Sequence, residues 1–337
     1  MTVRMKDIAK ELGLSVVTIS KVLRNHPDIA GETRERVLKR VKELDYQPNL
    51  MARSLVTGRS YLIGLVVPSL LHSFFAEVAV AISAEVGKRG YSLLLASSDE
   101  QPETEQREIQ QMLARHLDAL VIATCASDAK TMERMERSGV PYVLIDRLIS
   151  GAKHNFVGTD DYAAGRMATE HLIAQGCRRI AHIRGPEVAN ARERLRGYAD
   201  ALESNELEYR ADWVVAADRV DSDATQHGAE AMKRLLESSE RPDAVFAFND
   251  PLAIGAIHAA LNAGLRIPEN VAFIGCGNLH FDDLLRVPLS SVDQQSAEIG
   301  RRTAQILLDL IETKEKPAPQ SVILEPRLIP RASSLRR

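Results

Sequence analysis

The feature that most constrains this chain is a rhythm that begins at Tyr61. Short runs rich in leucine and β-branched residues alternate with stretches of helical periodicity. The runs are residues 62–67, 92–96, 119–123, 142–145, 156–158, 180–183, 244–248 and 271–274, with one more at 321–325. Parallel neighbours need a crossover, and a helix is the usual one, so strands spaced by helices predict parallel sheets covered by helices. So many strands over residues 61–337 read as two α/β lobes with a cleft between them, not as one sheet.

The first sixty residues lack that rhythm. Met5, Ile8, Ala9 and Leu12 recur at helical spacing, Gly13 suits a left-handed helix end, and Ser15 can cap a second helix over about 16–23. Ala9, Gly13 and Ile19 then stand where a helix-turn-helix needs a small residue at the crossing, a glycine in the turn and an aliphatic in the core. A third helix over about 32–44 is expected to bury Val37, Val41 and Leu44 and to expose Arg34, Arg36, Lys39, Arg40 and Lys42. The second helix would present Val16, Val17, Ser20 and Lys21 outward. Valine methyls suit a thymine methyl in a major groove, and hydroxyl and ammonium groups suit phosphates or base edges.

Charge follows the same division. The net charge of -3 conceals 12 Lys/Arg against 7 Asp/Glu in residues 1–60, and 31 against 39 in the remainder. A basic end on an acidic body points the first part toward a polyanion. The weakly charged stretch 61–75 is broken by Pro68 and His72 and is too short to span a bilayer, and residues 1–10 lack the apolar run of a secretory signal, so a cytoplasmic protein is expected. The three cysteines, Cys125, Cys177 and Cys276, form no CxxC pair and are expected to be reduced and buried.

After the third helix, Pro48 and Gly58 frame a potential helix of about two turns, which is marginal in isolation. Lys6-Asp7-Ile8-Ala9-Lys10, Gly13-Leu14-Ser15, Thr18-Ile19-Ser20-Lys21-Val22-Leu23, Thr33-Arg34-Glu35-Arg36-Val37 and Tyr46-Gln47-Pro48-Asn49 through Ala52-Arg53-Ser54-Leu55 together resemble the lactose-repressor/galactose-repressor (LacI/GalR) family. The resemblance extends over nearly the whole chain. It implies an all-α helix-turn-helix domain over 1–47, a hinge helix and linker over 48–60, and a two-lobed, periplasmic-binding-protein-like effector and dimerisation domain over 61–337. It also implies that the hinge helix folds in the DNA minor groove with Leu55 wedged between central base pairs, unstacking them to bend the duplex. The DNA-contacting set expected is Ser15, Val16, Val17, Thr18, Ser20, Lys21, Arg24, Asn49, Ala52, Arg53 and Leu55. Three positions depart from the family pattern: Arg4 and Ala30 stand where helix caps are usual, and Arg24 where asparagine is common. A missing cap costs about 1 kcal/mol.

Ligands of parallel sheets collect at the carboxyl ends of strands. Here those ends are polar: Pro68-Ser69, Ser97-Ser98-Asp99, Asp146-Arg147, Arg184, Asn249-Asp250 and Gly275 to Asn278. By resemblance, the effector contacts fall on Phe74, Phe75, Arg147, Arg194, Asp250 and Asn278, with Asp223 near a spot where many members carry an aromatic. Carboxylates and guanidinium groups can orient hydroxyls, and Phe74 can stack on a sugar ring, so a small polar effector, a sugar or sugar derivative, is expected. Cys276-Gly277-Asn278 departs from the family's usual aromatic-Asp-Asp run, and the two arginines leave an acidic sugar or a phosphorylated metabolite open.

No GxxxxGK[ST], GxGxxG after a strand, HExxH or GxSxG occurs, and the nine histidines show no metal spacing. The chain is therefore expected not to be an enzyme and to need no cofactor or metal. Its expected function is that of an effector-switched DNA-binding transcriptional regulator, a homodimer on pseudo-palindromic operator DNA. No heptad-bearing helix follows residue 325, so no tetramer-forming coiled coil is expected. The competing reading is a cytosolic sugar-binding protein or sugar-processing enzyme whose basic N-terminus is only a docking arm.

Overall fold

The computed structural model describes the chain except for residues 1–2, 24–25, 47–53, 55–56, 126–129, 150–152, 218, 314–316 and 337, together with the side chains of 130–132. It separates into two compact units, Met1–Ser60 and Tyr61–Arg337.

The first unit holds α1 (Met5–Leu12), α2 (Val16–Leu23) and α3 (Gly31–Glu43) around buried Ile8, Ala9, Ile19, Val22 and Val37. Arg4 gives α1 no side-chain cap, but the Asp7 carboxylate accepts from Arg4 N at 2.9 Å and closes the first turn from the other side. Gly13 ends α1 at φ +67°. Ser15 Oγ accepts from Thr18 N at 3.0 Å, the cap expected for α2. Ala30 offers α3 none. The third helix differs from expectation in two ways. Val41 and Leu44 are only half-buried, leaving Val37 as its one fully buried side chain. Arg34 and Arg40 are not free on the surface: Arg40 bonds Glu11 at 2.6 Å and Glu43 at 2.9 Å, and Arg34 donates to His26 O at 2.6 Å, because a helix this short of apolar residues holds its neighbours partly by their polar rims.

The second unit carries two six-stranded sheets. The first has the order β11-β5-β4-β3-β1-β2, built from β1 (Leu62–Val67), β2 (Ser92–Ser97), β3 (Ala119–Ile122), β4 (Tyr142–Ile145), β5 (Phe156–Thr159) and β11 (Ser321–Leu324), all parallel. The second has the order β12-β10-β9-β8-β6-β7, from β6 (Ile180–Arg184), β7 (Val214–Ala216), β8 (Ala244–Ala247), β9 (Ala272–Cys276), β10 (Ser290–Asp293) and β12 (Arg327–Ile329), parallel except for β12 against β10. Central strands such as Ala119–Ile122 and Ala244–Ala247 are buried at every residue, as strands covered on both faces should be. Around the sheets lie α4 (Ser73–Gly87), α5 (Pro102–Ala114), α6 (Lys130–Ser138), α7 (Asp161–Ala174), α8 (Ala189–Ser204), α9 (Ala224–Glu237), α10 (Asp250–Asn262) and α11 (Ser296–Glu312).

The chain passes between lobes three times, near residues 160, 295 and 325, so each lobe is assembled from separate segments. The three passages are bonded to one another. Thr159 Oγ1 donates to Gln294 O at 2.9 Å, Asp160 N to Leu324 O at 3.0 Å, and Gln295 Nε2 to Glu325 O at 2.7 Å. Glycines set the helix pairs that flank the cleft. A Cβ at Gly165 would meet Arg194 O at 2.1 Å and one at Gly197 would meet Tyr162 O at 2.2 Å, so α7 and α8 cross backbone against backbone. Gly228 and Gly255 do the same for α9 and α10, at 2.1 Å and 1.9 Å from Leu252 O and Thr225 O.

Among the described residues no helix is long and apolar enough to cross a membrane, and no group of three or more His, Cys, Asp or Glu could hold a metal ion. All three cysteines are free. Cys177 and Cys276 are buried, but Cys125, at the rim of the first sheet, is only half-buried, contrary to expectation.

Candidate functional site

Two surfaces carry chemistry, one in each unit. On α2, Val16 and Val17 are 45% and 63% exposed, so they do not pack on a neighbouring helix. Ser15 and Thr18 are tied at the start of the helix, their hydroxyls 2.9 Å apart, and Ser20 is half-buried. Lys21 Nζ reaches Asp28 Oδ2 at 2.6 Å, and the Lys21 hydrogen bond holds the Asp28 carboxyl below its usual range. Arg24, Asn49, Ala52, Arg53 and Leu55, and with them the expected hinge helix, lie outside the described residues. Just beyond, Gly58 takes φ +68° and its N–H donates to Ser54 O at 2.8 Å.

The second surface is a cavity of about 260 Å³, its mouth included, between the two lobes of the body. It lies where strand ends converge. His72 follows β1, Asp146 and Arg147 follow β4, Asp221 follows β7, Phe248 and Asn249 follow β8, and Gln294 follows β10; Phe74 and Phe75 on α4 and Asn190 and Arg194 on α8 complete the lining. A tight turn presents the pair after β4: Asp146 sits at φ +61° and Arg147 N donates to Ile145 O at 2.6 Å across it.

Every charged lining group is buried and braced. Arg147 bonds the Asp221 carboxylate from the opposite lobe, and its Nε stands 3.5 Å from Asp146 Oδ2. Burial opposes the Arg147 charge, but Asp221, Asp146 and Glu100 outweigh it and hold the guanidinium above its ordinary value. Arg194 lies on the face that the glycine crossing presses against α7. Its Nε and Nη2 reach Asp161 at 2.9 Å and 2.8 Å, its Nη1 donates to Phe248 O at 2.6 Å, and its plane lies 4.5 Å from the Phe248 ring. Burial pushes Asp161 up to about 6 in spite of that arginine. His72 caps α4, its Nδ1 accepting from Phe74 N at 3.2 Å, while its Nε2 stands 3.8 Å from Asp221. Burial depresses the His72 pKa against the pull of Asp221, which keeps it neutral near pH 7. Asn190 donates to Asp146 at 3.2 Å, and its Oδ1 has no hydrogen-bond partner among the described residues. Arg147 Nε is likewise without one, so a donor and an acceptor are left for a ligand.

Of the effector residues expected from sequence, Phe74, Phe75, Arg147 and Arg194 line this cavity, and three do not. Asp223 is exposed at φ +55° ahead of α9, two residues beyond the aspartate that enters. Asn278 turns outward and its Oδ1 accepts from Arg331 at 2.7 Å. Asp250 is fully buried but faces away, cradled by Gly275 and Gly277, accepting from Ser291 Oγ at 2.7 Å and Leu279 N at 3.3 Å. Asp282 lies against it, 0% exposed, and shares a side-chain hydrogen bond with it. Two carboxyls in contact need a proton between them. Burial first, then Asp250, pushes Asp282 up to about 9, and burial pushes Asp250 up to about 6. Sequence reasoning missed His72, Asn190, Asp221, Phe248 and Gln294. Gln294 follows β10, which offers no apolar run, whereas Asp221 follows β7, whose Val214-Val215-Ala216 run was the signal that could have found it.

Comparison with known proteins followed the same division. The model of "Bacterial regulatory proteins, lacI family" matches residues 4–49, and that of the "Periplasmic binding protein-like domain" matches 169–334. The chain is 34% identical over 311 residues to the ribose operon repressor of Halalkalibacterium halodurans, covering 92% of this chain and 91% of that one. The lac repressor dimer bound to operator superposes with a TM-score of 0.85 at 25% identity, covering 100% of both chains. A LacI family transcriptional regulator from Enterococcus faecium with bound ribose superposes with a TM-score of 0.70 at 28% identity, over 81% of this chain and 98% of that one.

Proposed function

The chain belongs to the lacI family of bacterial regulatory proteins and is a DNA-binding transcriptional regulator, not an enzyme; on that premise, we propose that a small sugar bound between its lobes switches its affinity for operator DNA. The observation that carries this reading is the two-sided lining of the cavity, with Asp146 and Arg147 from one lobe facing Asn190, Arg194 and Asp221 from the other. A ligand that bonds both sides favours one degree of closure, and it shifts the balance only by its differential affinity for the two closures. DNA must then alter sugar affinity by the same factor. The lining itself, with carboxylate, guanidinium and amide groups beside Phe74, suits a polyhydroxyl ligand. The ribose operon repressor and the ribose-bound regulator among the relatives make a pentose the first sugar to test.

The regulator acts in the cytoplasm as a homodimer on a pseudo-palindromic operator, as the operator-bound lac repressor dimer suggests. Leu71 and Val80, 94% and 71% exposed before and on α4, are apolar surface of the kind a second copy covers. In the dimer, residues 48–60 would lead from each body to its helix-turn-helix, with Val16, Val17 and Lys21 in the major groove and Leu55 in the minor groove. The test is fluorescence anisotropy on a pseudo-palindromic duplex selected from a random library, over a salt series and with D-ribose and other sugars. Affinity should fall steeply with salt and exceed that for a scrambled duplex, and one sugar should change it by about fivefold or more. Equal affinity for the scrambled duplex would refute operator recognition. A selected duplex that no sugar moves would refute the sugar switch.

A further inference from the structure

Resting on the sugar-cleft reading, we propose that Asp221 is the specificity residue of the cavity: it makes the cleft accept neutral polyhydroxyl ligands and reject those carrying carboxylate or phosphate. Two guanidinium groups in a small cavity suggest a site for anions, and the sequence left that open. Their pairing removes the invitation. Arg194 spends Nε and Nη2 on Asp161 and Nη1 on Phe248 O. Arg147 is paired through Nη2 with Asp221, and Asp146 stands beside its Nε. The two arginines are thus faced by three carboxylates, those of Asp146, Asp161 and Asp221.

Asp221 is held there by construction. Its neighbours on both sides, Val220 and Ser222, donate their backbone N–H groups to the two oxygens of Glu100 across the cleft, each at 3.1 Å. Arg219 and Ser222 Oγ close on Asp99 at 2.6 Å and 3.0 Å. Gripping a loop by the amides that flank one residue leaves that residue's side chain directed inward, and Asp221 is buried against Arg147 and His72. Three helix N-termini near the cavity, those of α4, α8 and α10, would favour an anion. Two of them are already capped, by His72 Nδ1 and Asn249 Oδ1.

An anion entering this space must displace Asp221 from Arg147 or lie against Asp146 and Asp221 with little water to screen the repulsion. A polyol meets no such penalty. Its hydroxyls donate to the spare lone pairs of Asp146 and Asp221 and to Asn190 Oδ1, which has no hydrogen-bond partner among the described residues. Phosphate near neutral pH has at most two hydrogens to give to the carboxylates and brings one to two negative charges against them.

The test uses the full-length protein as wild type, Asp221→Asn and Asp221→Ser, titrated calorimetrically with D-ribose, D-ribose 5-phosphate and inorganic phosphate. Wild type should bind ribose and not the two anions. Both variants should gain about tenfold or more in affinity for the anions and lose a comparable factor for ribose. Adding Arg147→Met to Asp221→Asn should cancel the gain, which mere loosening of the loop would not do. The proposal is overturned if wild type binds ribose 5-phosphate as tightly as ribose, or if anion affinity is the same in wild type and whichever of the two variants folds. If no neutral sugar binds wild type, the sugar reading of the cleft fails, whereas the comparison of phosphate affinity between wild type and variants still decides the role of Asp221.

Discussion

Replacing Asp282 with asparagine should stabilise the body of the protein by an amount that grows with pH. In the folded state burial and the adjacent Asp250 keep Asp282 protonated up to about 9, against an ordinary value of 3.8. Between those values the folded chain holds a proton that the unfolded chain has released, so unfolding stability falls by about 1.4 kcal/mol per pH unit from this group. The contribution is fully present below the unfolded value and lost as pH rises toward the folded one. Asp250, pushed up to about 6, adds to the slope below that pH, and above about 6.5 it is ionised in both states. From pH 6.5 to 8 the wild type should therefore lose about 2 kcal/mol relative to Asp282→Asn, whose amide can donate to Asp250 without titrating. The groups facing the pair are Arg331, 4.0 Å from Asp282, and Asp283, which Arg331 also bonds; both remain in the variant, so their titration cancels in the difference. The assay is urea denaturation at several pH values, read by Trp213, which is the chain's single tryptophan and is buried in the same lobe. A stability difference that does not change with pH would refute the shared proton.

Gly197→Ala should destabilise the body by about 1–3 kcal/mol and weaken sugar binding, because a Cβ 2.2 Å from Tyr162 O must push α8, and with it Arg194, away from the cleft; denaturation and calorimetry check the two effects, and an unchanged sugar affinity would separate Arg194 from the crossing. Val17→Ala should lower operator affinity in the anisotropy assay while leaving the melting temperature of the first unit unchanged, since Val17 is 63% exposed.

Where a strand or helix carried its own periodicity, it was readable. Residues 62–67 and 142–145 coincide with β1 and β4, and the helix begun at Met5 ends at Leu12 before Gly13. What escaped were β7, β10 and β12, three or four residues each, in which Ser290-Ser291-Val292-Asp293 and Arg327-Leu328-Ile329 offer no apolar run. Their strand character comes from neighbours that supply the hydrogen bonds. The site followed the same rule. Arg147 and Arg194 stood out by type and place, while Gln294 depends on a strand with no apolar run and Asp221 on the three-residue run Val214-Val215-Ala216 ahead of it. Asp250 shows the opposite failure. It follows a strand and heads a helix, yet the bare glycines 275 and 277 draw its side chain away from the cavity, a choice settled by packing between distant segments.

The threefold passage of the chain between lobes bears on how the protein is made. The first lobe needs α11 to cover α4 and takes its edge strand β11 from residues 321–324, so it cannot close until residue 324 has left the ribosome. The second lobe waits still longer for β12, whereas α1 to α3 are complete by residue 43. The part that meets DNA is therefore the first to be able to fold during synthesis, and the part that senses the metabolite is the last. A chain that stopped before residue 321 would still display a helix-turn-helix, but on a body unable to finish either sheet.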